Sequence, residues 1–177
     1  MKWFKRILLG LVIVVVLLTV VGFMLPGSYR VERTQTIKAK PEVAFAVVNN
    51  LKTWQEWTAW TVARFPDMKM EFTGPESGMG AGYSWSGKSC GSGKIHITKA
   101  DASSLIVYDL DFEQGRMVSK GEITFAPDGD NVKVKWSNYG ELGANPVSRW
   151  FGLLMDRFMG PDFQTSLDNL KKRVEAK

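Results

Sequence analysis

Residues 7–25, ILLGLVIVVVLLTVVGFML, form one unbroken apolar run directly after a basic six-residue stub. Nothing else in the chain restricts its folding as severely. A helix of about 19 residues at about 1.5 Å per residue spans close to 30 Å, the thickness of a bilayer's hydrocarbon core. The run carries no charge, and its only polar side chain, Thr19, can bond back to its own helix. Pro26 and Gly27 then stop the helix. Three readings compete for the segment. A cleaved signal peptide has a shorter apolar stretch, roughly 7–15 residues, and a small-x-small site that residues 22–27 fit poorly. A buried core helix rarely lacks a polar face over such a length. An uncleaved transmembrane signal anchor fits best, so the expected division is an anchor over residues 1–27 and one domain over residues 28–177.

Lys2, Lys5 and Arg6 favour a cytoplasmic N-terminus, but Arg30, Arg33, Lys38 and Lys40 lie just beyond the other end. The stub has the higher charge density, and long domains translocate largely regardless of charge. The expected topology is a single pass through the cell membrane, with the domain on the extracytoplasmic (periplasmic or external) side.

The stub also accounts for much of the chain's basicity. Without its three cations, 20 Lys and Arg face 18 Asp and Glu, and the basic residues are scattered. Nucleic acid is therefore not an expected partner. Cys90 is the only cysteine and His96 the only histidine, which excludes an intramolecular disulfide, a cysteine metal cluster and a two-histidine metal site. No metal and no cofactor is expected. Of the seven Trp and ten Phe, six and eight fall in residues 28–177, many for a domain this small, and such rings fill a core or line a cavity.

After the anchor the period-two pattern dominates. In residues 29–39, Val31, Arg33, Gln35 and Ile37 point one way, as in an edge strand with one wet face. Pro41 and Glu42 open a helix, Asn49 and Asn50 end it, and Trp54, Trp57 and Trp60 follow at intervals of three, near one face of a short helix. Those rings either pack under the glycine-rich loop GPESGMGAG or dip into a membrane's headgroup region. Alternation then returns at Met68–Met70–Phe72, Tyr83–Trp85, Ile95–Ile97, Ile106–Tyr108–Leu110–Phe112, Ile123–Phe125 and Val132–Val134–Trp136, with a hairpin turn at PDGD. Strands with one apolar and one polar face make an antiparallel sheet with a cover on one side. The cover is the C-terminal segment: Val147, Phe151, Leu154 and Phe158 recur at helical spacing, and Phe163, Leu167, Leu170 and Val174 resume it. Gly160-Pro161 between the two sets predicts a kink or a break.

One strand, two short helices, about six antiparallel strands and a long C-terminal helix is the order of the helix-grip fold. The chain resembles the START-like (SRPBCC) superfamily, in its polyketide cyclase/dehydrase-like branch. The resemblance rests on IKAKPEVAF (residues 37–45), LKTWQEW (51–57), GMGAGYSW (78–85) and SLDNLK (166–171). It implies an α+β fold in which a curved antiparallel sheet grips the long helix, with a hydrophobic cavity between them. Relatives bind lipids, sterols, polyketides or plant hormones there, and a minority do chemistry.

The inward set is Met70, Phe72, Tyr83, Trp85, Ile106, Tyr108, Leu110, Phe112, Phe125, Val134, Trp136, Asn138 and Phe158. Residue types alone suit a filled core; the resemblance favours a pocket wall. The expected ligand contacts are Met70, Phe72, Tyr83, Trp85, Tyr108, Leu110, Phe112, Phe125, Trp136, Asn138 and Phe158, around a lipid-like or other hydrophobic small molecule. No catalytic residue is assigned. His96 falls on the polar side of its strand, Cys90 lacks a nearby base, and Asp109, Asp111 and Glu113 read as a solvated strand face. GMGAG precedes a strand, so no helix N-terminus awaits a phosphate there. It reads instead as a mobile loop at a cavity mouth. The alternative function is a cyclase, dehydratase or hydrolase, drawing on Tyr83, Tyr108, Asn138 and Glu141. A third is an interaction module with a vestigial pocket.

Overall fold

The computed structural model describes residues 2–115 and 117–176; Met1 and Lys177, the outer ends of the two expected segments, lie outside it. The apolar run folds as helix α1 (Lys2–Met24), and every residue from Trp3 to Met24 is exposed except Gly22. After it come strand β1 (Ser28–Ile37), helix α2 (Pro41–Asn49), a 3₁₀ turn (Leu51–Thr53) and the one-turn helix α3 (Trp54–Trp57). Six strands follow: β2 (Lys69–Thr73), β3 (Gly82–Gly87), β4 (Gly91–Asp101), β5 (Leu105–Phe112), β6 (Met117–Asp128) and β7 (Asn131–Glu141). Helix α4 (Pro146–Glu175) closes the chain.

The strands form one antiparallel sheet in the order β1-β7-β6-β5-β4-β3-β2. Consecutive strands from β2 to β7 are neighbours, and β1 returns to pair with β7, so β1 and β2 are the edges. Alternation in sequence becomes alternation in burial: Ile106, Tyr108 and Leu110 of β5 are buried, as are Val132, Val134 and Trp136 of β7. The turn after β6 is tight because Gly129 takes φ of +61°, which side-chain-bearing residues rarely adopt. GKSCGSG is shorter as a loop than it looks, since β4 already begins at Gly91.

Local chemistry sets the helix starts. Pro41 occupies the first turn of α2, with Glu42 beside the positive end of the helix dipole. Asn145 caps α4 by accepting a bond from the Val147 amide at 2.9 Å, and Pro146 follows in the first turn.

Helix α4 does not break at Gly160-Pro161; it runs through as one helix of 30 residues. This changes the fate of its first apolar set. From Phe158 to Phe163 is a step of five residues, about 500° of rotation, so the two sets lie roughly 140° apart around an unbroken helix. Phe163, Leu167, Leu170 and Val174 are buried against the sheet. Val147, Phe151 and Leu154 are exposed and line no part of the space over the sheet, and Phe158 is exposed at its margin.

From Asp156 onward, α4 is tied to edge strand β1. Gln35 donates to Asp168 at 2.6 Å, Lys171 donates to the Thr36 carbonyl at 2.9 Å, and Arg33 pairs with Asp156. These side chains cover an edge that would otherwise offer unpaired backbone groups.

Candidate functional site

A cavity of about 620 Å³ lies between the sheet and α4, within the range of small-molecule sites. Its sheet wall comes from inward positions of four strands: Tyr83 and Trp85 on β3, Ile95 on β4, Tyr108, Leu110 and Phe112 on β5, and Trp136 on β7. Trp54, Thr58 and Trp60 close it from the segment around α3, and Phe65 and Met68 from the loop before β2. Met155, Phe158, Met159 and Phe163 supply the α4 side. Ser89, Cys90, Glu113 and Met117, at the tips of the β3–β4 and β5–β6 hairpins, complete the lining.

The rings are fixed at one end of this space by stacking. Trp136 lies flat on Phe163, centroids 4.3 Å apart, and meets Trp57 and Trp54 edge-on at 5.4 and 5.9 Å. Trp54 also meets Tyr108 edge-on at 5.4 Å and donates its indole N–H to the Val48 carbonyl at 2.8 Å. Trp85 packs edge-on against Phe112 at 5.2 Å. Phe158 behaves differently: it lines the cavity yet is 62% exposed, which places it at the mouth with Met117.

Polar groups in the lining are few. The Trp136 indole donates to the Tyr108 hydroxyl at 2.8 Å, leaving the phenolic proton free to be donated. Burial raises the Tyr108 phenol well above the ordinary tyrosine range, and burial does the same to Tyr83, so both stay neutral and protonated. Such groups can donate a hydrogen bond to a ligand, but they are poor bases at neutral pH.

Of the eleven expected contacts, Tyr83, Trp85, Tyr108, Leu110, Phe112, Trp136 and Phe158 come together around the cavity, while Met70, Phe72, Phe125 and Asn138 lie off its lining. Met70 and Phe72 sit on edge strand β2, where Phe72 is 44% exposed and its ring lies 5.8 Å from that of Tyr83, its partner across the strand pair. Phe125 has the inward phase, but farther along β6, where Phe45 of α2 packs edge-on at 5.5 Å. Asn138 is wholly buried in a closed polar chain: it accepts from the Tyr29 hydroxyl at 2.9 Å and donates to Ser119 at 3.1 Å. Glu141 is exposed at the end of β7, so only Tyr83 and Tyr108 of the four polar groups named for an enzyme reach the cavity.

Sequence reading missed Trp54, Trp60, Phe65, Met68, Ile95, Met155, Met159 and Phe163 as lining. Met155 and Met159 are one turn apart beside Phe158, and that spacing was the available signal. Of the three tryptophans, Trp54 and Trp57 are buried in the main core, the same buried cluster that includes Ala81 of the glycine-rich loop, and Trp60 packs against that cluster. The loop itself is absent from the cavity lining, and its Gly78 and Gly80 amides donate to the Asn49 and Ile97 carbonyls at 3.2 and 2.9 Å. His96 is exposed, as its phase predicts.

Comparison with solved structures finds this architecture repeatedly. Norcoclaurine synthase from Thalictrum flavum, in complex with dopamine and hydroxybenzaldehyde, superposes with a TM-score of 0.62 at 16% identity, covering 84% of this chain and 87% of that one. A Staphylococcus aureus protein of unknown function gives 0.64 at 11% identity, covering 84% and 94%. The protein Ara h 8.0201 gives 0.59 at 14% identity, covering 85% and 100%. At these identities the likeness is one of fold, a helix-grip sheet packed on a long C-terminal helix. A search of curated protein sequences returns no match. The family profile described as "Polyketide cyclase / dehydrase and lipid transport" matches residues 28–175, nearly the whole of the chain after α1. The chain therefore belongs to the polyketide cyclase / dehydrase and lipid transport family, within the SRPBCC group of helix-grip proteins.

Proposed function

We propose that this protein is a membrane-anchored binding protein for a lipid-like or other hydrophobic small molecule held between the sheet and α4. The observation that carries the reading is the cavity itself: about 620 Å³, walled by aromatic and methionine side chains, with two neutral phenols as its deep polar groups. Tyr83, Trp85, Tyr108, Leu110, Phe112, Trp136 and Phe158 are the proposed contacts, joined by Met155 and Met159.

The anchor is α1. Its apolar run is long enough to cross a membrane and almost entirely exposed, and leaving so many aliphatic side chains in water would cost tens of kcal/mol, at roughly 1.5–3 for each large one. Cations flank both ends of the run, and the higher charge density of the stub supports a cytoplasmic N-terminus with residues 28–177 on the extracytoplasmic side.

Titration of the purified protein with anilinonaphthalene sulfonate, an apolar fluorophore, tests the binding reading. Saturable enhancement that Leu110→Trp abolishes, with the urea midpoint retained, is the expected result. Enhancement that is absent, or that survives filling the cavity, counts against it. A second reading, an enzyme acting on a hydrophobic substrate, is favoured only by the two phenols in the wall. It requires that a bound molecule be recovered chemically changed.

A further inference from the structure

Two of the polar groups in the cavity wall are donors with nothing to donate to. The Tyr108 oxygen accepts from the Trp136 indole at 2.8 Å, and no described residue accepts the Tyr108 proton. The Tyr83 hydroxyl bonds to no described residue at all. Among the described residues, the sealed side-chain polar atoms without a partner are Asn49 Oδ1 and Trp57 Nε1. Tyr83 Oη is not one of them, so it is unpartnered yet open to the space that its residue lines. Other polar groups of the wall are engaged. The Trp54 indole donates to the Val48 carbonyl, the Thr58 hydroxyl to the Trp54 carbonyl at 2.8 Å, and the Ser89 hydroxyl to Asp67.

The sheet brings the two phenols to one region. Tyr83 lies opposite Ile95, and Ile95 opposite Leu110; Tyr108 is two residues before Leu110 and so shares its face. Both tyrosine rings pack against Trp54, with centroids 6.5 and 5.4 Å away. This is the end of the cavity held by stacked rings, away from the mouth at Phe158 and Met117.

Charge narrows what can enter that end. Among the described residues the lining has no Lys, Arg or His, and its one carboxyl group is Glu113 at a hairpin tip. A carboxylate or phosphate carried to the phenols would lose its hydration with no cation to meet it. A neutral oxygen acceptor needs only donors, and a carbonyl oxygen has two lone pairs for two hydroxyls. Burial keeps both phenols protonated. The bond from Trp136 also polarises the Tyr108 hydroxyl and strengthens it as a donor.

We infer that the cavity takes a neutral carbonyl compound, such as a long-chain ketone, aldehyde or ester, with its carbonyl end innermost. The oxygen accepts from the Tyr83 and Tyr108 hydroxyls, and the apolar chain runs toward Phe158. A hydrocarbon would leave both protons unbonded in an apolar space, and an anionic amphiphile would keep its charged group at the mouth. The inference rests on the binding reading above and names the chemistry of the ligand within it.

Carbon-13 NMR of 2-undecanone labelled at its carbonyl carbon, added to the full chain in dodecyl maltoside, tests this. The ketone resonance stands clear of the protein's own carbonyls. Leu110→Trp in the same micelles gives the spectrum of ketone dissolved in detergent alone. The inference expects a bound resonance, missing with Leu110→Trp, that lies downfield of the ketone in hexane, the direction in which hydrogen bonding moves it. Tyr83→Phe should shift it upfield and weaken binding roughly 2–12-fold, the range for one net hydrogen bond. Tyr83→Phe/Tyr108→Phe should shift it further. Tyr83→Phe breaks no hydrogen bond within the protein, so the test survives if the double variant does not fold. A bound resonance at the hexane position, or a downfield one that Tyr83→Phe leaves unmoved, overturns the inference while the binding reading stands. So does undecanoate, labelled at its carboxylate carbon, if it binds at neutral pH as tightly as the ketone with a resonance displaced from its position in water. If neither molecule gives a bound resonance, the binding reading fails and the inference falls with it.

Discussion

Arg33 on β1 holds Asp156 on α4 in a two-pronged pair, Nη1 to Oδ1 at 2.7 Å and Nη2 to Oδ2 at 3.0 Å. The pair sits where α4 passes from its exposed stripe to its buried one, and Gly160, one turn on, leaves the room that the guanidinium fills. It pins the middle of the helix to the sheet edge at the level of the cavity mouth.

The bonds from Arg33 hold the Asp156 carboxyl below the usual carboxylate range. A depressed carboxylate contributes stability above its unfolded pKa and loses that contribution as pH falls through the folded value. Asp156→Asn should lower stability by at most about 1 kcal/mol at neutral pH, because the pair is largely exposed. The gap should close progressively as pH falls below about 3.9. Urea midpoints of the two proteins across that window give the comparison.

Tyr108→Phe removes the acceptor of the buried Trp136 indole N–H. A buried donor left unpaired costs about 1–3 kcal/mol, readable in chemical denaturation. The phenols add an alkaline signature. Burial raises Tyr83 and Tyr108 above ordinary tyrosine, so their contribution is complete below about pH 10 and is lost as pH climbs above it. Stability should fall above about pH 10 in the parent protein and fall less steeply in the Tyr83→Phe/Tyr108→Phe double variant.

Gly121 lies opposite Tyr108 across the β5–β6 pair, and the Tyr108 ring rests over it. A methyl group there collides with the ring and forces it toward the cavity. Gly121→Ala should cost about 1–3 kcal/mol, the range for overpacking a filled site. It should also weaken uptake of an apolar fluorophore more than a surface Gly129→Asn control does.

Arg149 ties the end of α1 to the start of α4, and also donates to the Gly143 carbonyl at 3.1 Å. Arg149→Ala should leave the domain's urea midpoint nearly unchanged while speeding proteolysis between α1 and β1. Fragment masses from limited digestion show whether cleavage moves to residues 25–28.

Most of the architecture was readable from alternation, because a period of two fixes which strand residues share a face. Alternation does not say how far along the strand the helices reach. Phe125 and Asn138 have the inward phase, yet Phe125 meets α2 and Asn138 meets Tyr29 and Ser119 rather than the cavity. The Gly160-Pro161 signal misled for a different reason. Proline's missing N–H and ring clash affect one turn, whereas Arg33, Gln35 and the buried stripe beyond hold α4 in a single helix. The exposed stripe followed from that continuity, which a local sequence signal does not carry.

Native mass spectrometry of the full chain released from its own membrane bears most directly on the central claim, that the space between sheet and α4 holds a hydrophobic molecule. The account predicts a population carrying an added mass that is extractable into organic solvent and missing from Leu110→Trp prepared in the same way. Spectra showing only the unliganded chain for both proteins, or the same adduct on both, would contradict it.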